Sequence, residues 1–197
     1  MFVTIKNDGQ QLTKHFTISS SPTEKDFIEF TKKLTDHPYS LALTKSRIGD
    51  WTMVDGPYGN FKFKGDYDRV GMLSGGIGIT PLRSICRYCT DTLSETKITL
   101  LYGSRTEEDI VFRGELEEMQ QKNRNMRVVF CLDEAPQNWK GYSGRIDAEM
   151  IRREIPDYAK TIFYACGPPA MVDTMEKLLK ELNIPTAQIK RENFSGY

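Results

Sequence analysis

The chain has 197 residues, enough for one large or two small domains and for burying roughly 70% of its unfolded surface without covalent staples. Lysine plus arginine and aspartate plus glutamate both number 27, so no basic field points to nucleic acid or to an acidic membrane surface. No apolar run approaches membrane-spanning length and no charged-then-apolar leader opens the sequence, so a soluble, cytoplasmic protein is expected.

In chain order, the first third reads as β-rich. Residues 2–6, 15–19, 26–32 and 51–55 are short β-branched or aromatic runs. Asn7-Asp8-Gly9, Ser21-Pro22, Ile48-Gly49-Asp50 and Asp55-Gly56-Pro57 punctuate them. From about Asp68 the pattern alternates. Strands are expected near 69–74, 97–102, 127–132, 161–165 and 186–191, and helices near 81–93, 112–122, 147–154 and 169–182. That alternation predicts a doubly wound parallel α/β sheet, preceded by the β-rich part, with a division at 66/67. The last helix shows the logic: Met171, Val172, Met175, Leu178, Leu179 and Leu182 share one face and read as core.

Two glycine loops carry the chemistry. Gly75-Gly76-Ile77-Gly78-Ile79-Thr80-Pro81 follows one apolar strand, and Tyr164-Ala165-Cys166-Gly167-Pro168-Pro169 ends another. Backbone N–H groups at a strand-to-helix junction point outward under the helix dipole, and glycine lets an anion approach closely. Two such loops on neighbouring parallel strands would flank one crevice and suit a dinucleotide. The strict G-x-G-x-x-G fingerprint is not met, because Pro81 stands in its third place, so either loop alone reads equally as a strand closing onto a helix.

Other residue types offer less. Cys86-Arg87-Tyr88-Cys89 has redox or metal spacing but falls within an amphipathic helix, with no second pair to complete four ligands, and reads as two half-buried thiols. No metal site or iron–sulfur cluster is expected in the chain. His15 and His37 are the only histidines and read as structural or surface residues.

Taken together, the glycine loop at 75–81, Leu101-Tyr102-Gly103-Ser104-Arg105, Cys166-Gly167-Pro168-Pro169 and the terminal Glu192-Asn193-Phe194-Ser195-Gly196-Tyr197 resemble the ferredoxin–NADP reductase superfamily of flavin oxidoreductases. Lys14-His15-Phe16-Thr17-Ile18-Ser19 resembles its flavin-binding strand, and Asp55-Gly56-Pro57-Tyr58-Gly59-Asn60-Phe61 the loop closing its flavin barrel. The resemblance implies a partial antiparallel flavin barrel over 1–66 and an NAD(P)-binding domain over 67–197. Some forty residues of opening barrel strands have no counterpart before Met1.

The resemblance also distributes roles. Lys14, Phe16, Thr17 and Ser19, with Gly56, Pro57 and Gly59, would contact FAD, or FMN. Lys14 keeps a positive charge for the phosphates without the arginine fork, and Thr17 keeps a hydroxyl for the flavin ring. Gly75, Gly76, Gly78, Thr80 and Pro81 would cradle the coenzyme pyrophosphate. Cys166, Gly167 and Pro168 would lie by the nicotinamide, with Cys166 and Thr17 as catalytic residues. Ser104 and Arg105 sit where the adenosine ribose would lie and point by a small margin to NADPH over NADH, against Glu107, Glu108 and Asp109 close by. Tyr197 would cover the flavin ring. The implied activity is hydride transfer between NAD(P)H and flavin, then single electrons to an iron–sulfur or ferredoxin-like partner. A non-catalytic nucleotide-binding or docking subunit, and a free-standing flavin reductase, fit the same residues.

Overall fold

The computed structural model describes residues 1–194. The first sheet is built on a hairpin, β1 (Phe2–Asn7) and β2 (Gln10–His15). Asp8 and Gly9 both take positive φ, 49° and 80°, the backbone a two-residue hairpin turn requires and an Asp-Gly pair supplies at little cost. β3 (Thr52–Asp55) joins the other edge of β1, giving a three-stranded antiparallel sheet in the order β2-β1-β3.

Two expectations for this part fail. Residues 26–32 form no strand, and past His15 the chain keeps only one bridge, Ile18 to Phe30. Around that bridge Ser19 N donates to Glu29 O (2.8 Å), and side chains add to the pairing: Ser20 Oγ accepts from Glu29 N (2.9 Å), and Ser19 Oγ donates to Glu29 Oε1 (2.7 Å). Between this segment and β3 stands α1 (Pro38–Lys45), an element the β-rich reading did not include. Its first free N–H, from Tyr39, donates to His37 Nδ1, so His37 is a structural cap. Tyr39 is buried with Val3, Ile5 and Phe16, and its hydroxyl donates to Val3 O at 3.2 Å.

The second sheet has six parallel strands in the order β7-β6-β5-β4-β8-β9. They are β4 (Arg69–Gly75), β5 (Lys97–Ser104), β6 (Met126–Leu132), β7 (Tyr142–Ser143), β8 (Ile162–Gly167) and β9 (Ile189–Asn193). α2 (Ile79–Asp91) and α3 (Arg113–Lys122) cover one face, over Met72, Leu100, Leu82 and Leu116. α4 (Ala148–Glu154) and α5 (Pro169–Glu181) cover the other, over Leu73, Leu101, Phe163, Val172 and Leu179. Adjacent residues such as Met72 and Leu73 thus serve opposite cores, as the two-residue period of a strand dictates. The doubly wound reading is borne out. Cys86 and Cys89 are fully rather than half buried, Cys86 Sγ lying 3.7 Å from Met72 Sδ. Among the described residues no helix is long and apolar enough to cross a membrane.

Candidate functional site: a cleft at the switch point of the sheet

Strand order reverses between β4 and β8, and the two glycine loops leave the carboxyl ends of these strands side by side. Their contact is backbone on backbone: a Cβ on Gly78 would lie 2.2 Å from Cys166 O and 2.6 Å from Gly167 Cα. Gly76 differs. It takes φ +52°, and a Cβ there would meet nothing within 4 Å, because it would point into open space. The Gly76 carbonyl accepts from Tyr102 Oη (2.9 Å), which in turn accepts from Val111 N (3.2 Å). Tyr102 is fully buried, and burial pushes its hydroxyl up to about 12, so it stays a neutral donor.

Beside the loops opens a cleft of about 840 Å³. Ser74, Gly75 and Gly76 form its floor, Pro168 and Met171 one wall, Ser104 and Arg105 the far end, and Thr31 to Lys33 of the β-rich part the opposite rim. The Ser74 hydroxyl is buried without a protein partner. A buried donor without a partner beside an open, glycine-floored cleft fits a ligand with acceptor oxygens, as a pyrophosphate has.

Cys166 ends β8, buried, opposite Glu192 of β9 in register. Its Sγ donates to Glu192 Oε2 at 3.9 Å, and Thr17 Oγ1 donates to Glu192 Oε1 at 3.5 Å. One carboxylate therefore joins a residue of the β-rich part to the second glycine loop. Burial, and then the neighbouring carboxylate, push the Cys166 thiol far above its ordinary range, so the sulfur is a neutral thiol and no nucleophile at neutral pH. Burial likewise raises the Glu192 carboxyl, an effect the Thr17 and Cys166 hydrogen bonds only partly offset.

The remaining predicted residues divide. Gly167 sits between the loops, where a Cβ would come 3.0 Å from Gly75 O, whereas Thr80 and Pro81 are buried in the packing of α2 and do not line the cleft. Arg105 is exposed and donates to Glu134 Oε1 (2.8 Å), so its charge is already paired. Glu108, Asp109 and Asp133 stand around the same end, with Arg145 held against Asp133. Lys14 is half-buried and its charge bears on the partly buried Lys32. Gly56, Pro57 and Gly59 lie in an exposed loop, with Gly59 at φ +95°. Ser19 is buried with its hydroxyl shared between Glu29 and Thr31. Phe16 is the clearest departure: its ring stacks on Phe30 at 4.4 Å and leans on Tyr39, filling the small core instead of offering an open aromatic face. Tyr197 lies outside the described residues. Sequence reasoning assigned no role to Tyr102 or Glu192, although both stand inside motifs it singled out, and read Met171 as core, whereas it lines the cleft.

A doubly wound sheet whose switch-point cleft is floored by two interlocked glycine loops, joined to a small antiparallel sheet through Thr17 and Glu192, defines a dinucleotide-binding protein of the oxidoreductase type. Comparison with known proteins agrees. Residues 72–177 match the family model of the oxidoreductase NAD-binding domain, and residues 1–63 that of the oxidoreductase FAD-binding domain. The chain belongs to the ferredoxin–NADP reductase family of flavin oxidoreductases.

Among its relatives, a glycine betaine monooxygenase reductase subunit of Chromohalobacter salexigens is 33% identical over 99% of this chain and 55% of its own length. NADH-cytochrome b5 reductase 1 of Mortierella alpina is 32% identical over 89% of this chain and 60% of its own length. The chain thus spans little more than half the length of these curated relatives. The cytochrome b5 reductase domain of Ulva prolifera nitrate reductase shares the fold with a TM-score of 0.81 at 24% identity, over 97% of this chain and 83% of that one.

Proposed function

We propose that this chain forms the coenzyme- and flavin-binding part of a reductase that takes electrons from NADH and delivers them singly to an acceptor protein. The observation that carries the reading is the packing of the two glycine loops, Gly78 against Cys166 O, beside a cleft that holds the unpartnered Ser74 hydroxyl. When bound, a nicotinamide and a flavin supply a hydride donor and a carrier that releases electrons one at a time.

The protein's own residues bind and orient. Gly75, Gly76 and the start of α2 offer backbone N–H groups and room to a pyrophosphate, and Tyr102 fixes the loop from behind through the Gly76 carbonyl. Cys166 and Gly167 pack against the first glycine loop from behind the cleft and so set where its floor lies. Thr17, with Lys14 and the 56–59 loop, serves the flavin, while Phe16 and Ser19 serve the core behind it. Glu192 accepts from the Thr17 hydroxyl and the Cys166 thiol and so links their positions.

The ribose end supports NADH over NADPH. Arg105 is taken by Glu134, and Glu108, Asp109 and Asp133 would repel a 2′-phosphate. For the acceptor, the relatives named as a monooxygenase reductase subunit and as cytochrome b5 reductases support a separate redox protein, and an iron–sulfur or ferredoxin-like partner is our finer reading. One observation favours a second reading, a non-catalytic docking subunit: the Phe16 ring is spent on Phe30 and Tyr39 in the small core. A single experiment separates the two. The full chain, incubated with FAD and freed of excess, is mixed anaerobically with NADH while visible absorbance is followed. Bleaching of retained FAD supports the reductase; retention of no FAD, or retention without bleaching, supports the docking subunit.

A further inference from the structure

One buried arginine holds the two halves of the site together. Arg83 of α2 has a side chain only 5% exposed, and it uses all five of its N–H donors. Nη1 and Nη2 grip both oxygens of Glu24, at 2.5 and 3.0 Å. Nε and Nη2 grip Glu115 Oε2 of α3, at 3.0 and 2.5 Å. The fifth bond, Nη1 to Ser19 O at 3.1 Å, reaches the backbone two residues beyond Thr17. The guanidinium also lies over the Phe112 ring, 5.5 Å from its centroid.

Neighbouring contacts tie the same segment to the same helix. Ser84 Oγ donates to Ser20 O (2.8 Å), Glu24 Oε2 accepts from Ser21 N (2.7 Å), and Thr23 Oγ1 donates to Asp91 Oδ2 (2.5 Å). α2 is also the helix that the Gly76–Gly78 turn opens into, so its first turns touch both the coenzyme loop and the segment that carries Thr17.

We propose that Arg83 is a positioning residue that fixes the Thr17–Glu24 segment against the coenzyme loop and so sets the Thr17–Glu192–Cys166 geometry. The reasoning is physical. The segment forms no strand of its own: Phe16 exchanges backbone bonds with Met1, Ile18 bridges Phe30 and Ser19 N donates to Glu29 O (2.8 Å), and the Arg83 grip ties this short frame to α2 and α3. Five hydrogen bonds in a rigid planar fork specify position in a way that a lysine, with a compact ammonium on a flexible stem, does not. The guanidinium lies in the packing of α2 and α3 and lines no part of the cleft, so it acts by position and not by touching the coenzyme.

The proposal rests on the reductase reading for its kinetic arm, and a second arm is independent of it. Amide hydrogen exchange on the full chain, without cofactor, is measured for wild type, Arg83→Lys and Arg83→Met. Arg83→Met should lose protection over residues 17–24 by roughly tenfold or more while β4 and β8 keep theirs, with Arg83→Lys in between. In FAD-loaded protein, the rate of flavin reduction at saturating NADH should fall on the order of tenfold in Arg83→Met, with NADH affinity within about twofold of wild type and partial recovery in Arg83→Lys. If Arg83→Met does not fold, Glu24→Gln cuts the same grip from the other side and is read in the same two ways.

Unchanged exchange over 17–24, or protection lost evenly through the whole α/β sheet, would overturn the proposal, as would an unchanged reduction rate in a folded variant. A wild type that reduces no flavin would defeat the reductase reading and leave the exchange arm to decide for or against the clamp.

Discussion

Glu192 shows what a single residue does here. Burial holds its carboxyl above the ordinary value of 4.5, so the folded chain binds this proton more tightly than the unfolded one. The sign follows: the group costs nothing below 4.5, and its cost to stability grows as pH rises from 4.5 through the raised folded value. Glu192→Gln should therefore narrow the loss of stability between pH 5 and pH 8, measured as urea midpoints; an unchanged difference would contradict the burial account. Cys166→Ser keeps a small donor beside Glu192, so flavin reduction should slow without being abolished in stopped flow, whereas complete loss with intact NADH binding would indicate thiol chemistry. At the ribose end, NADH should bind more tightly than NADPH, and Arg105→Ala should change NADH affinity by less than about twofold, as expected for an exposed paired charge. The residue types of this site were largely legible, because glycine, cysteine and proline at strand ends carry their reasons with them. Phe16 was not. An aromatic on a strand looks the same whether it faces a ligand or a core, and only the unforeseen α1, which brings Tyr39 against it, and the bridging Phe30 decide.

At the scale of elements, β4, β5, β6 and β8 were readable as largely buried runs flanked by amphipathic helices; these and β9 lie within a few residues of expectation, whereas the two-residue, half-exposed β7 was not foreseen. The β-rich part was read less well. Its segment at 26–32 has strand composition, but its pairing with residues 18–20 stays at one bridge, with the Ser20 hydroxyl taking the Glu29 N–H that a partner strand would accept. Two glycine substitutions, one at the start of α2 and one in α3 as its control, test the loop packing. Gly78→Ala pushes a Cβ against the Cys166 carbonyl and should cost about 2–3 kcal/mol or more in urea denaturation. Gly114→Ala, within α3 with nothing near the added atom, should be neutral or stabilising by up to about 1 kcal/mol. The Arg83 pair adds a pH window of its own. Burial acts to raise the Glu24 carboxyl, but the Arg83 hydrogen bonds and the Ser21 N–H outweigh it, so its value is depressed. The stability it contributes is full above 4.5 and is lost as pH falls through the lowered value. Glu24→Gln should thus remove part of the acid lability below 4.5, a window distinct from that of Glu192.

For the whole molecule, the cleft at the sheet's switch point and the Thr17–Glu192–Cys166 link are the two features that join the halves into one site. The first was legible in the sequence as two loops of the right kind at the right separation. The second was not, because it depends on β9 lying beside β8, a pairing that strand alternation alone does not assign. Nicotinamide coenzyme binding across the glycine loops is the claim on which the rest stands. Calorimetric titration of NADH into the wild-type chain and into Gly76→Val, with Gly76→Ala as the control for backbone strain at φ +52°, tests it most directly, since a Cβ there meets no protein atom within 4 Å. The account predicts saturable binding by wild type, weakened at least about tenfold by the substitution, or roughly 1.4 kcal/mol. Equal affinities, or no saturable binding by the folded wild-type chain, would contradict it.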